Sequence, residues 1–537
     1  MTKLKSLILS DNSLTLEVSQ NWTPPFQLSD IGLRSCKQGP LFPKWLEKQN
    51  EFNYLDISNS EISGIVPKWF WTKFGLSNWT SIDISCNNLQ GTIPNLLIEN
   101  HYNSLSLASN QFEGHVPPFF RGSVYLDLSN NKFTESSWFL CSSGVVETLY
   151  QLDLSNNEFS GQIPDCWTHF KSLAYLNMSQ NKFFGKVPTS MGSLIQLQVL
   201  LLRSNKLTGM MPSILKNCTK LVMVDISENR LSGPIPNWIG NELSKLQFLS
   251  LRRNYLNGSL PLQICYLKGI QLLDLSLNNL SGQIPKCIKN LSSMAQMTSL
   301  RDYQRHQYLI NTSYMTGNYS YNLNTFLMWK GSEQMFKNVG LSLLKSIDLS
   351  NNQFSGEIPK EIIDLLELIS LNLSRNNLMG KIPSNIGELT SLEFLDLSRN
   401  QLIGSIPSSL TQIDRLTVLD LSHNYLSGEI PIGTQLQSFD ASTYEDNVDL
   451  CGPPLKKLCT NGERRQKPIT KFQEDEIFNQ EYYISMTIGF AISFCGVFGS
   501  ILLVHSWRNA YFKFLNNLED TLYVMITVKV FKTWCKT

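Results

Sequence analysis

The stretch LQVLLLRSN, Leu197–Asn205, decides the architecture. Its alternation sends Leu200 and Leu202 to one side and Leu201 and Arg203 to the other, the pattern of a short strand with an inward and an outward face. Asn205 follows the strand, where a short amide side chain satisfies the backbone groups of a tight inward turn. Outward from this segment the arrangement repeats with a period of 24. The asparagine recurs at Asn157, Asn181, Asn229, Asn254 and Asn278, then at Asn352, Asn376, Asn400 and Asn424. Upstream the slot holds Asn12, Cys36, Ser60, Asn87, Asn110 and Asn131, which brings the repeats to 16. A repeat of this size cannot bury its apolar face alone, so the units must stack.

Between strands, segments such as FSGQIP (Phe159–Pro164) turn the chain to the far side, glycine supplying a permissive backbone and proline a fixed φ. The LxxLxLxxNxLxGxIP pattern with its Gly-x-Ile-Pro tail resembles the plant-specific class of leucine-rich repeats. The fold expected is an α/β-type solenoid, a leucine-rich-repeat superhelix with a parallel sheet on its concave face, plus one transmembrane helix.

Composition narrows the function. The 537 residues carry 45 basic and 44 acidic side chains, only 17% charged in all, which argues against nucleic acid as a partner. Six histidines (His101, His115, His169, His306, His423 and His505) are scattered without a nucleophile, carboxylate pair or metal-ligand spacing. Binding without catalysis is expected, with no cofactor and no metal. Asp153, Asp274, Asp396 and Asp420 line the concave face and are expected to bond neighbouring serines and backbone amides. Arg203, Arg252 and Arg253, with Glu228 between them, read as a solvated face.

Cys141 and Cys166, and Cys265 and Cys287, are 25 and 22 residues apart, which puts each pair on adjacent repeats. They read either as bridges or as buried thiols of the kind expected for Cys218. Glycosylation sequons begin at Asn21, Asn78, Asn177, Asn217, Asn257, Asn279, Asn290, Asn311, Asn318 and Asn372. Asn177 and Asn372 arise from strand text, LNMS and LNLS, so a glycan there would block the concave face.

All ten sequons precede Tyr482–Val504, 23 residues without a charge, long enough to span a bilayer. Glu474, Asp475, Glu476 and Glu481 lie before it, and Trp507, Arg508 and Lys513 after it. Arg464, Arg465, Lys467 and Lys471 weaken the positive-inside count, but the sequons orient the span with its N-terminus outside. Small residues at Ser485, Gly489, Ser493, Gly496 and Ser500 would let another membrane helix approach closely. The 33 residues after Val504 are too few for a kinase. No signal peptide or paired-cysteine cap precedes the first repeat, so a truncated chain is expected.

From Asn278 to Asn352 is 74 residues, one period of 24 plus 50. The excess, residues 292–340, has lost the leucine spacing and ends YNLNTFLMWKGSEQ. The organisation is thus about twelve repeats over 1–291, an island at 292–340, four repeats over 341–431, a C-terminal cap at 432–460, an acidic segment at 461–481, the span at 482–504 and a tail at 505–537. Four repeats after an island, a Cys-Gly-Pro-Pro-Leu cap, one span and a short tail resemble the plant receptor-like proteins that detect microbial elicitors, nearest the ethylene-inducing-xylanase receptor type.

That resemblance implies a plasma-membrane receptor with its ectodomain outside, acting in plant defence. It implies an extracellular protein or peptide ligand, a co-receptor kinase of the somatic-embryogenesis class recruited by the last four repeats, and an adaptor receptor kinase met through the membrane helix. It implies a capping disulfide between Cys451 and Cys459. It also implies a motif, Tyr321, eight residues, then Lys330-Gly331, that together with Trp329 contacts ligand or co-receptor. The other reading is that Tyr321, Trp329 and Lys330 pack the island onto the solenoid. A developmental receptor for an endogenous peptide shares this architecture, and a polygalacturonase-inhibitor-type binding protein is the soluble rival.

Overall fold

The computed structural model describes residues 3–459 apart from 20, 74–80, 97–101, 144–145, 296–308, 311–318, 321–324, 331, 337–340, 342 and 434. The proposed membrane span, its acidic approach and its tail lie outside the described residues. Among the described residues, no helix is long and apolar enough to cross a membrane.

Each repeat contributes one three- to five-residue strand to a 16-stranded parallel sheet, from Ser6–Ile8 to Val418–Asp420. Beside it runs a second set of parallel ladders, one of four strands and one of eleven, the latter from Ser160–Gln162 to Asp449–Cys451. Short 3-10 helices such as Thr189–Ser193 close the far side, entered from a proline (Pro188, φ −70°) that cannot continue the ladder. The core is one continuous column, in which Phe112, Phe133, Phe159 and Phe183 stack with centroids 6.4, 6.3 and 6.0 Å apart. Gly185 shows why the second ladder requires glycine: its φ is +79°, and a Cβ there would meet Gln162 Cγ at 3.1 Å.

The asparagine slot is what joins repeats. Asn205 Nδ2 donates to the carbonyls of Leu202 (3.2 Å) and Arg203 (3.2 Å) in its own turn and of Met178 (3.0 Å) in the preceding repeat. Its Oδ1 accepts the amide of Phe183 at 3.1 Å. Where the slot holds another residue, a single polar hydrogen still reaches back: Cys36 Sγ donates to Leu9 O and Ser60 Oγ to Leu33 O, both at 3.2 Å.

The island interrupts the sequence without interrupting this ladder. Leu272, Leu273 and Asp274 pair in register with Ser346, Ile347 and Asp348, and the Leu280 amide donates to Asn352 Oδ1 at 3.0 Å across 72 residues. The cap also extends the ladder. Asn447, which the repeat pattern does not reveal, accepts the Leu426 amide (3.0 Å) and donates to Leu421, Tyr444 and Glu445 carbonyls. Tyr444 is fully buried beside it, with its hydroxyl on Leu436 O at 2.8 Å.

Replacing Asn447 with Ala takes this partner from three buried backbone groups, the Leu426 amide and the Leu421 and Tyr444 carbonyls, each worth about 1–3 kcal/mol when unsatisfied. We expect N447A to lower the urea midpoint of the last repeats markedly, read by hydrogen exchange at Leu426 and Leu450. Exchange there at the wild-type rate would show that the cap does not depend on this amide.

Candidate functional site

Outward-facing positions of a strand meet solvent unless something covers them. In five successive strands the first outward position is large and apolar: Tyr175, Val199, Met223, Phe248 and Leu272 are paired in register and at most 3% exposed. Leu201 joins them and is likewise buried, although alternation alone sends it to solvent. The cover comes from the island and the segment after it. Leu341 and Leu344 are buried in this cluster, and Trp329 and Phe336 pack against it. Burial of such side chains is worth about 1.5–3 kcal/mol each.

Trp329 and Phe336 belong to an antiparallel hairpin, Thr325–Trp329 with Ser332–Phe336, and meet edge to face at 6.0 Å. The register pairs Trp329 with Ser332, so Lys330 opens the connection, at φ +48°, the left-handed backbone of a tight hairpin turn. Its ammonium lies 5.7 Å from the Trp329 ring centroid and 2.5 Å from Glu393 Oε2, just before the strand Phe394–Asp396. Lys330 and Trp329 therefore both face the solenoid, while Tyr321 and Gly331 of the motif lie outside the described residues. A second charged pair just beyond the island joins buried Lys345, through its Nζ, to half-buried Glu367 Oε2 at 3.4 Å.

The aspartates at the strand ends bond as their sequence context requires. Ser155 donates its amide (2.9 Å) and hydroxyl (2.6 Å) to Asp153 Oδ1, and Ser276 and Ser398 do the same for Asp274 and Asp396. Asp420 accepts the Ser422 amide at 3.0 Å. Burial pushes the carboxyls of Asp274 and Asp396 up, that of Asp225 to about 6, and those of Asp153 and Asp348 to about 7, where the neighbouring carboxylates Asp127 and Asp274 add to the effect. The arginine patch departs from expectation. Arg203 has a side chain only 12% exposed and pairs with Glu228 at 2.8 Å, so it is a covered ion pair and not a solvated face. Arg252 donates to Ser276 Oγ at 2.8 Å, and Arg253 alone of the three is exposed.

Leucine-rich-repeat family models match residues 148–170, 195–257, 269–291, 343–365, 367–389, 391–413 and 415–435. Receptor-like protein EIX2 of Solanum lycopersicum is 46% identical over 534 residues, covering 98% of this chain and 51% of that protein. Receptor-like protein EIX1 of the same plant is 47% identical, covering 97% and 51%. The chain matches the leucine-rich-repeat receptor-like proteins of plants. It spans about half the length of these two receptor-like proteins, 51% of each. Among solved structures, the Arabidopsis receptor kinase HAESA in complex with the peptide hormone IDA and the co-receptor SERK1 aligns at 27% identity with a TM-score of 0.57, over 85% of this chain and 76% of that one. The peptide hormone receptor RGFR1 in complex with RGF2 shares the fold, at 24% identity and a TM-score of 0.52, over 80% and 76%.

The structure bridges Cys141 to Cys166 (2.08 Å), Cys265 to Cys287 (2.16 Å) and Cys451 to Cys459 (2.04 Å), and leaves Cys36 and Cys218 as buried thiols. Of the sequon asparagines, Asn21, Asn217, Asn257, Asn279 and Asn290 are exposed, and Asn78, Asn311 and Asn318 lie outside the described residues. Asn177 and Asn372 are on the sheet face with their amides already engaged. Asn177 is buried and donates to Asp153 Oδ2 at 3.0 Å, and Asn372 accepts the Ser374 amide at 3.1 Å.

The aspartate row makes stability depend on pH. The folded state holds the protons of Asp153, Asp225 and Asp348 more tightly than the unfolded chain, where Asp titrates near 4. Their contribution is complete below about pH 4 and is lost as pH rises through 6 to 7. We expect a lower calorimetric midpoint at pH 8 than at pH 5, and a smaller difference in D153N. Equal slopes in wild type and D153N would contradict this assignment.

Proposed function

We propose that the solenoid is the ligand-binding part of a cell-surface receptor in which the island and the sheet face beside it take an extracellular protein or peptide. The observation that carries this reading is the hairpin's position. Trp329 packs on strands that precede the insertion, and Lys330 pairs with Glu393 in a repeat that follows it. A ligand held by the island is thereby tied mechanically to the last four repeats, which we read as the surface that recruits a co-receptor kinase of the somatic-embryogenesis class. The alignment with HAESA, described with a peptide hormone and a co-receptor, supports that division of labour.

The similarity to EIX1 and EIX2 favours a microbial elicitor as ligand and plant immunity as the setting. On this reading the segment 482–504 anchors the receptor in the plasma membrane as a single-pass type I protein, and its small residues, Gly489 and Gly496 among them, meet the span of an adaptor receptor kinase that supplies phosphorylation.

The test uses the full chain on plant cells, with ethylene-inducing xylanase as probe and co-precipitation of the co-receptor kinase as readout. W329A combined with K330A should lower probe-dependent association about tenfold or more at unchanged surface level, the effect of losing over 1.4 kcal/mol. K330E alone should behave similarly, and K330E with E393K should recover association, because the pair positions the hairpin. Unchanged association in W329A/K330A would overturn the proposal.

A further inference from the structure

Each repeat places one residue in the left-handed region immediately before its slot asparagine, and these residues form a column along one border of the long sheet. Backbone bonds hold successive members in step: the Arg375 amide donates to Ser398 O and the Arg399 amide to Ser422 O, each at 2.9 Å. Neighbouring strands lie about 4.8 Å apart, so adjacent column side chains are within reach of each other.

The charged members of this column from residue 156 onward differ in their company. Glu228 pairs with Arg203, and, against the cost of burial, a hydrogen bond from Ser204 and the charges of Arg203 and Arg253 hold its carboxyl below the usual range. His423 meets Asp446 of the cap at 3.0 Å. Arg375 and Arg399, by contrast, are consecutive, exposed and of like charge, and neither has an ion-pair partner among the described residues. Two neighbouring guanidiniums repel each other, and each presents a planar fork that fits a carboxylate. Four residues further along the same repeats, Met379 and Ile403 add apolar surface at 47% and 48% exposure, and Tyr425 of the following repeat, paired in register with Ile403, is 67% exposed.

We propose that Arg375 and Arg399 are an anion-binding edge that takes the carboxylates of an acidic, partly apolar segment of a partner polypeptide, whose apolar side chains lie on Met379, Ile403 and Tyr425. The guanidinium pair sets the charge of the occupant, and the apolar row favours a polypeptide over a polyuronate or a lipid headgroup. The inference deepens the reading of the last four repeats as a partner-recruiting surface by assigning the partner's chemistry.

The full chain in detergent is titrated with a fluorescein-labelled ten-residue peptide alternating Glu and Leu, read by anisotropy. Glutamine is a fitting replacement because Gln180 occupies the same column at φ +54°. R375Q and R399Q should each weaken binding about tenfold, the cost of one charge-assisted contact, and the double variant should lose it. M379S with I403S should weaken it further at constant salt slope. R230Q, which removes an exposed arginine elsewhere, should leave binding unchanged. Equal losses in R230Q, undiminished binding in R375Q/R399Q, or tighter binding of a labelled oligogalacturonate than of the peptide would each overturn the proposal. Loss of peptide binding does not depend on the island, so K330A retaining it separates this inference from the reading of the hairpin.

Discussion

One side-chain amide in nearly every repeat, replaced by a thiol at Cys36 and a hydroxyl at Ser60, holds this molecule together. The slot asparagine spends its two hydrogens on carbonyls of its own turn and of the repeat before, and its oxygen on an amide of the preceding repeat. Backbone groups buried at such turns must be paired, and no other group at that depth pairs them all. The recurrence of the slot follows from this requirement, and a residue with left-handed backbone precedes each one. Leucines between these anchors then have one available direction, into the column.

Such a ladder fixes repeats relative to one another without fixing what lies between them. That is why the long insertion after Asn278 is accommodated: Leu280 and Asn352 bond as if they were neighbours. The inserted chain has its own apolar surface to bury, and the sheet face supplies the complementary row from Tyr175 to Leu272. Lys330 then reaches past the insertion to Glu393, so the island touches both parts of the solenoid. A surface built this way can report an event on the island to the later repeats through a contact already in place.

The period, the sheet and the bonding of the aspartates were legible in the sequence, because each depends on residues within one repeat. What was not legible depends on contacts between distant segments. Leu201 reads as solvent-facing by alternation, yet the island covers it. The signal was present in the consecutive apolar residues of QVLLL (198–202), which exceed what alternation needs. Arg203 reads as solvated for the same reason, and its pairing with Glu228 becomes visible only once the strands are in register. Asn447 escaped because its neighbours, a 3-10 turn with Tyr444, carry none of the leucine pattern. Lys330 was singled out by resemblance, but nothing in its local sequence names Glu393.

The central claim is that the asparagine ladder runs unbroken past the island. Hydrogen exchange of the full chain tests it at the amides of Leu256 and Leu280, which donate to Asn278 and Asn352 on either side of the insertion boundary. We expect both amides to be protected to a similar degree and to lose protection together in N352A. Exchange of Leu280 at the rate of an exposed loop, with Leu256 still protected, would mean that the solenoid is broken at the island.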